Sequence, residues 1–220
     1  MIVFRRVIIA TIETVSHDID FSNLHERMQW YVDQEILPCA NTLVMRGLDV
    51  LDYTCFGYMD RDSKTPLRED AIFRMHSSTK LITSVALMTL YEQGKFTLDD
   101  ALADYIPAFV NPKVLIPSAT AMDQTEQARS PITVRQVLSH SAGFSYGFVE
   151  PESMIDKAYV AGGLNILGAF DGDLETLVNK LAEFPLVFQP GSSWRYSLAT
   201  DVAARLVEVL SGQRFDEYIK

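Results

Sequence analysis

The sequence predicts a mixed α/β fold of the α+β kind, in which a helical region accompanies a partial antiparallel sheet, and three patterns point there. Residues 19–36 place Phe21, Leu24, Met28, Tyr31, Val32 and Ile36 at helical intervals on one side, as an amphipathic helix does. Residues 41–46 and 50–56 are short runs rich in β-branched and aromatic residues, and Gly47-Leu48-Asp49 between them reads as a hairpin turn. From about residue 77 to 187 the pattern is mainly helical. It starts with the apolar run 81–91, which stops at Gly94, a residue suited to the left-handed position just past a helix.

Taken in order, the amphipathic helix and hairpin form an N-terminal part, residues 1–76, and residues 77–220 form a mainly helical part. Loops rich in Pro, Ser, Asp and Gly are expected near 107–131 and 161–173, the polar excursion at 111–131 resembling an insertion. The segment 134–138 reads as helical. At the N-terminus, Arg5-Arg6 precede a short apolar run that Glu13 interrupts, and no small-residue cleavage site follows. An extra strand or helix start is expected there rather than a signal peptide.

With 220 residues, 48% of them hydrophobic, the chain can bury a sizeable core. A net charge of −10 argues against nucleic acid and against anionic membranes as partners. No stretch approaches the roughly 20 apolar residues that span a bilayer. A cytoplasmic location is expected, with the periplasm as the alternative. Cys39 and Cys55 flank the hairpin and read as free thiols. The four histidines show no metal-ligand spacing, so neither metal nor cofactor is expected.

The chemistry concentrates at Ser77-Ser78-Thr79-Lys80. Residues three apart on a helix lie on one face. A serine hydroxyl becomes a nucleophile when a neighbouring base takes its proton, and an amine can be that base. A helix N-terminus also favours the oxyanion of an acyl-transfer intermediate. S-x-x-K alone is a short pattern that also fits a capping serine with a solvated lysine. Its flanks carry more. Phe73-x-x-x-Ser77-x-Thr79-Lys80 is followed by Glu92-x-Gly94-Lys95-x-x-Leu98-Asp99-Asp100 and Tyr105-Ile106-Pro107. Next come Leu138-Ser139-His140-Ser141-Ala142-Gly143, then Phe188-Gln189-Pro190-Gly191 with Trp194-Arg195-Tyr196-Ser197, then a helical pattern from Asp201 to Gly212.

These collinear landmarks, from about residue 20 to the C-terminus, resemble the serine β-lactamase and penicillin-binding-protein superfamily, most closely class C β-lactamase-like (family VIII) carboxylesterases. The resemblance implies a β-lactamase/transpeptidase-like fold, Ser77 as the acylated nucleophile, Lys80 as acceptor of its proton, and Tyr196 completing the proton network. How Lys80 and Tyr196 divide base duty stays open. It implies a small-molecule ester or amide as substrate. Phe144, Tyr146, Phe148 and Trp194 are the aromatics nearest the site. Tyr146, Phe144 and Trp194, with Leu198, are the candidates for substrate contact.

Two departures shape the expectation. Where β-lactamases of this type carry Tyr-x-Asn, this chain has Tyr196-Ser197-Leu198. Leucine cannot hydrogen-bond a substrate amide, which favours esters of small or medium acyl chains over β-lactams or D-alanyl peptides. The family's third motif, a Lys-Thr-Gly, His-x-Gly or Trp-Gly-Gly strand, is not found after Tyr196. The last strands of the sheet are therefore expected to be missing, leaving the hairpin with open edges and the chain either self-associating or weakly active. Acyl transfer and a non-catalytic binding role are the further alternatives.

A second serine competes. Gly143-Phe144-Ser145-Tyr146-Gly147 matches G-x-S-x-G, the nucleophile elbow of α/β-hydrolases. That motif needs a buried strand before it and a histidine after it. Here a helical pattern precedes it and His140 is the last histidine, so the match is expected to be a glycine-rich turn.

Overall fold

The computed structural model describes residues 14–164 and 170–220; the expectations for residues 1–12, and part of the loop at 161–173, lie outside the described residues. The chain divides into two compact units, Met1–Arg74 and Met75–Lys220. Among the described residues no helix is long and apolar enough to cross a membrane.

In the first unit, helix α1 (Ser22–Asp33) packs on strands β1 (Cys39–Arg46) and β2 (Asp49–Asp60). It is shorter than its apolar pattern: Phe21 is the N-cap residue, and Ile36, at 55% exposure, lies past the helix end. Phe21, Leu24, Met28, Tyr31 and Val32 are half-buried, as the amphipathic spacing predicts. The antiparallel sheet has the order β1-β2-β3, β3 being the short Thr65–Pro66. Arg46 pairs with Asp49, so the hairpin turn is Gly47-Leu48 and one residue shorter than expected. Strand β2 runs past Phe56, through Gly57. There φ is +77° and a Cβ would stand 2.5 Å from the Pro38 carbonyl oxygen, so the strand continues only because the residue is glycine. Among the described residues of this unit, Leu51, Phe56 and Leu67 are the buried apolar ones. Cys39 and Cys55 are free, half-buried thiols on the paired strands, Cys55 facing Asn41.

The second unit begins with a 3₁₀ turn (His76–Ser78) that feeds α2 (Thr79–Glu92). Gly94, at φ +68°, ends this helix as a Schellman motif. The Gly94 amide donates to the Tyr91 carbonyl at 2.8 Å and the Lys95 amide to the Leu90 carbonyl at 3.0 Å. Beyond lie β4 (Lys113–Leu115), β5 (Thr125–Gln127), α3 (Val134–Leu138), α4 (Met154–Ala161), α5 (Leu174–Ala182), α6 (Ala199–Ser211) and α7 (Phe215–Tyr218). Helix α6 is the hub: it packs against α2, α3, α5 and α7. It buries Val202, Leu206 and Val207, and α2 buries Thr83, Ala86, Leu87 and Leu90. Each such Val or Leu contributes about 1.5–3 kcal/mol.

The polar excursion at 111–131 is not a free insertion. Strands β4 and β5 pair within it, and Val114, 1% exposed, bridges in parallel to Leu186. Strands of three residues are too short for alternation to show in sequence. The Leu98-Asp99-Asp100 and Tyr105 landmark is a latch on α3. Arg135 donates to both Asp99 carboxylate oxygens at 2.8 and 3.0 Å. Asp100 accepts from the Thr97 amide at 2.7 Å and from the Tyr105 hydroxyl at 2.6 Å. Helix α3 opens with a capping box of Thr133 and Gln136.

Candidate active site

Ser77 is placed by the 3₁₀ turn that precedes α2 and is exposed. His76 before it has φ +42°, a left-handed conformation that costs a non-glycine residue on the order of 1 kcal/mol. The Ser77 Oγ lies 2.8 Å from the Tyr196 hydroxyl. Lys80 is in the first turn of α2, its Nζ 4.6 Å from the centre of the Tyr196 ring and 5.6 Å from that of Tyr146. The structure thus brings Ser77, Lys80 and Tyr196 together, with Tyr196 at the centre. The ammonium rests between two aromatic faces that attract a cation.

The electrostatics ease ionisation of the Tyr196 phenol. Partial burial opposes ionisation of its phenol, but the adjacent Lys80 and the Ser77 hydrogen bond outweigh that and hold it below the usual tyrosine range. Tyr146 goes the other way. Burial first, then the Asp201 and Tyr196 charges, push its phenol up, so it stays neutral. Burial pushes the Asp201 carboxyl up to about 6, against the pull of Lys80. A cavity of about 190 Å³ opens beside Lys80, lined also by Leu81, Ser84, Val137, His140 and Ala203.

Of the residues expected to contact substrate, Trp194 is 65% exposed and stands edge-on to His140, with ring centres 6.3 Å apart. Tyr146, 2% exposed, packs 5.2 Å from the Tyr196 ring and stacks on Phe148 at 5.0 Å. Phe144 and Leu198, like Tyr146, are not at the site surface. Phe144 is 1% exposed and packs on Phe109 at 5.3 Å, while Leu198 is 0% exposed as the N-cap residue of α6. Both fill the core, because apolar side chains beside a site are enclosed whenever neighbours can cover them.

Sequence reasoning gave no role to two residues that frame the site. Asp201 stands five positions after Tyr196, in the first turn of α6. His140 stands in the sequence only as part of the landmark at 138–143. Its ring lies 5.2 Å from that of Tyr196 and its Nδ1 is 3.1 Å from Ser197 Oγ. Burial, then the Lys80 charge, lower its proton affinity and keep the imidazole neutral. The signal available was its place directly after a helix and before the Gly143 turn.

Ser145 is enclosed. It is 0% exposed, donates to Asp156 Oδ1 at 2.5 Å and accepts from Arg195 Nε at 2.6 Å. Gly143 has φ +97°, and a Cβ there would meet the Phe188 carbonyl oxygen at 2.6 Å. The G-x-S-x-G stretch is a packed turn without a preceding strand.

A serine at the head of a helix, a lysine one turn on and a distant tyrosine hydrogen-bonded to the serine thus meet on a mixed α/β fold. The chain belongs to the beta-lactamase family, whose sequence profile matches residues 24–220. It is similar to the esterase EstB of Burkholderia gladioli, 31% identical over 209 residues that make up 93% of this chain and 50% of that protein. Among solved structures it resembles EstCE1, a hydrolase with promiscuous acyltransferase activity, with a TM-score of 0.76 and 29% identity over 89% of this chain and 48% of that one. It also resembles unliganded simvastatin synthase (LovD) from Aspergillus terreus, with a TM-score of 0.70 and 26% identity over 91% of this chain and 51% of that one. The chain spans about half the length of the curated relatives it matches.

Proposed function

We propose that this chain carries the acylation site of a serine hydrolase acting on carboxylic esters of small or medium acyl chains. The observation that supports it most is the 2.8 Å contact of Ser77 Oγ with the Tyr196 hydroxyl beside Lys80. Tyr196, held toward its phenolate by Lys80, takes the Ser77 proton as Oγ attacks the ester carbonyl. The α2 dipole favours the oxyanion that forms. The alkoxide leaves with the proton returned by Tyr196, and a water molecule, deprotonated along the same path, releases the acid and regenerates Ser77.

Esters are favoured over β-lactams and D-alanyl peptides by the likeness to the esterase EstB of Burkholderia gladioli. Acyl transfer is the second reading: an alcohol in place of water completes the same cycle, and one structural neighbour is described as a hydrolase with promiscuous acyltransferase activity. A cytoplasmic location suits the two free thiols. Self-association suits the position of β1 at the edge of its sheet.

The test is covalent labelling with a fluorophosphonate, intact mass, and peptide mapping, alongside hydrolysis of p-nitrophenyl esters. One adduct, on Ser77, with ester turnover is the expected result. Folded protein that takes no label, or takes it on Ser145, overturns the reading.

A further inference from the structure

The G-x-S-x-G stretch has no part in the proposed chemistry, yet it is bonded to the segment that carries Tyr196. The Arg195 amide donates to the His140 carbonyl at 3.0 Å and the Leu198 amide to the Ser145 carbonyl at 3.2 Å. The Arg195 guanidinium donates to Ser145 Oγ at 2.6 Å and to Asp156 Oδ1 at 3.1 Å, and pairs with Glu150 Oε2 at 2.9 Å. On the other side of Tyr196, Ser197 Oγ meets His140 Nδ1 at 3.1 Å. Ser197 Oγ already accepts from the Ala199 amide at 3.4 Å, so its own proton is available to the neutral imidazole. Both sequence neighbours of Tyr196 are thus anchored through their side chains, and every anchor comes from residues 140–156.

These anchors are stiff. Ser145 and Asp156 are each 0% exposed and Arg195 is 9% exposed, and charge-assisted bonds in such surroundings hold direction strongly. His140 carries a further mark. It is the residue just past α3 in a Schellman motif, its amide donating to the Val137 carbonyl at 3.2 Å and the Ser141 amide to the Gln136 carbonyl at 2.9 Å. Its φ is +55°, at a position that glycine ordinarily fills. A strained backbone retained for the sake of an imidazole points to a task for the ring.

We propose that His140 and the Ser145–Asp156–Arg195 cluster are the two jaws of a clamp that positions the Tyr196 phenol on Ser77, which makes Ser145 a positioning residue for acylation. This rests on the reading of Tyr196 as acceptor of the Ser77 proton. A phenol oxygen sits far from its own backbone, and a misplacement of about 1 Å costs on the order of 10²-fold in rate.

Two measurements test it on the intact chain. The first is the ultraviolet titration of Tyr196, taken as the difference from Tyr196→Phe; it needs no turnover. The groups facing that phenol are Lys80, Ser77, Asp201, Tyr146 and His140. The second is the rate of Ser77 labelling by a fluorophosphonate. His140→Gly keeps the left-handed backbone and deletes the ring. His140→Asn tolerates that backbone and offers Ser197 an acceptor. Ser145→Ala removes one bond from the other jaw.

His140→Gly is expected to move the Tyr196 titration upward by about one pH unit and to slow labelling about 10–100-fold. His140→Asn should restore most of both, and Ser145→Ala should shift both in the same direction. A Tyr196 titration unchanged in His140→Gly and Ser145→Ala overturns the clamp, whatever the labelling rate. Should Ser145→Ala fail to fold, the glycine and asparagine pair decides. A wild-type chain that never labels while its Tyr196 titration moves in these variants would sink the hydrolase reading and leave the clamp standing.

Discussion

Ser77 and Ser145 both sit in motifs used by serine hydrolases, and their surroundings differ in kind. Ser77 is exposed at the head of a helix, bonded to a phenol that a lysine draws toward ionisation. Ser145 is sealed from solvent, with its proton given to Asp156 and a lone pair given to Arg195. A nucleophile needs an approachable oxygen and a base with spare capacity. A structural hydroxyl needs its bonding capacity used up. The motif letters carry neither property; burial and partners do.

The largest effect that separates the two serines is on turnover. Ser77→Ala is expected to abolish labelling and lower ester hydrolysis by about 10⁴-fold or more, while Ser145→Ala keeps its label on Ser77. A label that survives in Ser77→Ala and vanishes in Ser145→Ala would invert the comparison. Next, Tyr196→Phe removes the proton acceptor and should slow acylation by on the order of 10²–10⁴-fold, read from single-turnover kinetics, with melting temperature unchanged.

The Ser145 side should also register in stability. Asp156→Ala leaves Arg195 without its buried partner and is expected to cost about 3–5 kcal/mol by denaturant unfolding, a penalty Ser77→Ala does not share. The smallest effect lies in the carboxyl that faces the charge of Lys80. Asp201 titrates near 6, above its ordinary value of 3.8. Its favourable contribution is complete below that ordinary value and is lost as pH rises through about 6. Asp201→Asn should therefore match wild type at pH 4 and exceed it at pH 7 by at most about 3 kcal/mol. Equal stability of the two proteins at pH 7 would show that the carboxyl is not held up by burial.

What was legible in the sequence follows the range of each interaction. The hairpin, α1, the start of α2 and its end at Gly94 are local patterns, written within a few residues of where they act. The nearness of Lys80 to Ser77 follows from helical geometry alone. Tyr196 is 119 residues from Ser77, and only likeness to a family, not spacing, pointed to it. Strands β4 and β5 were missed because three residues are too few for a period to register. Phe144 and Leu198 read as pocket wall in the sequence because an apolar side chain looks alike in a pocket and in a core. The difference lies in Phe109 and the other neighbours that cover them, which no local pattern names. His140 was overlooked for a related reason: its left-handed backbone is set by α3, and its partner Ser197 is 57 residues on.

The exposed Trp194, edge-on to His140, has a practical use. The chain has 2 tryptophans, and the other, Trp30, belongs to α1. With Trp30→Phe, emission from the indole at 194 becomes a single optical reporter seated on the site itself. Protonation of His140 or arrival of an ester would then be visible as a change in intensity or colour on the millisecond scale, with no dye attached and no product to detect.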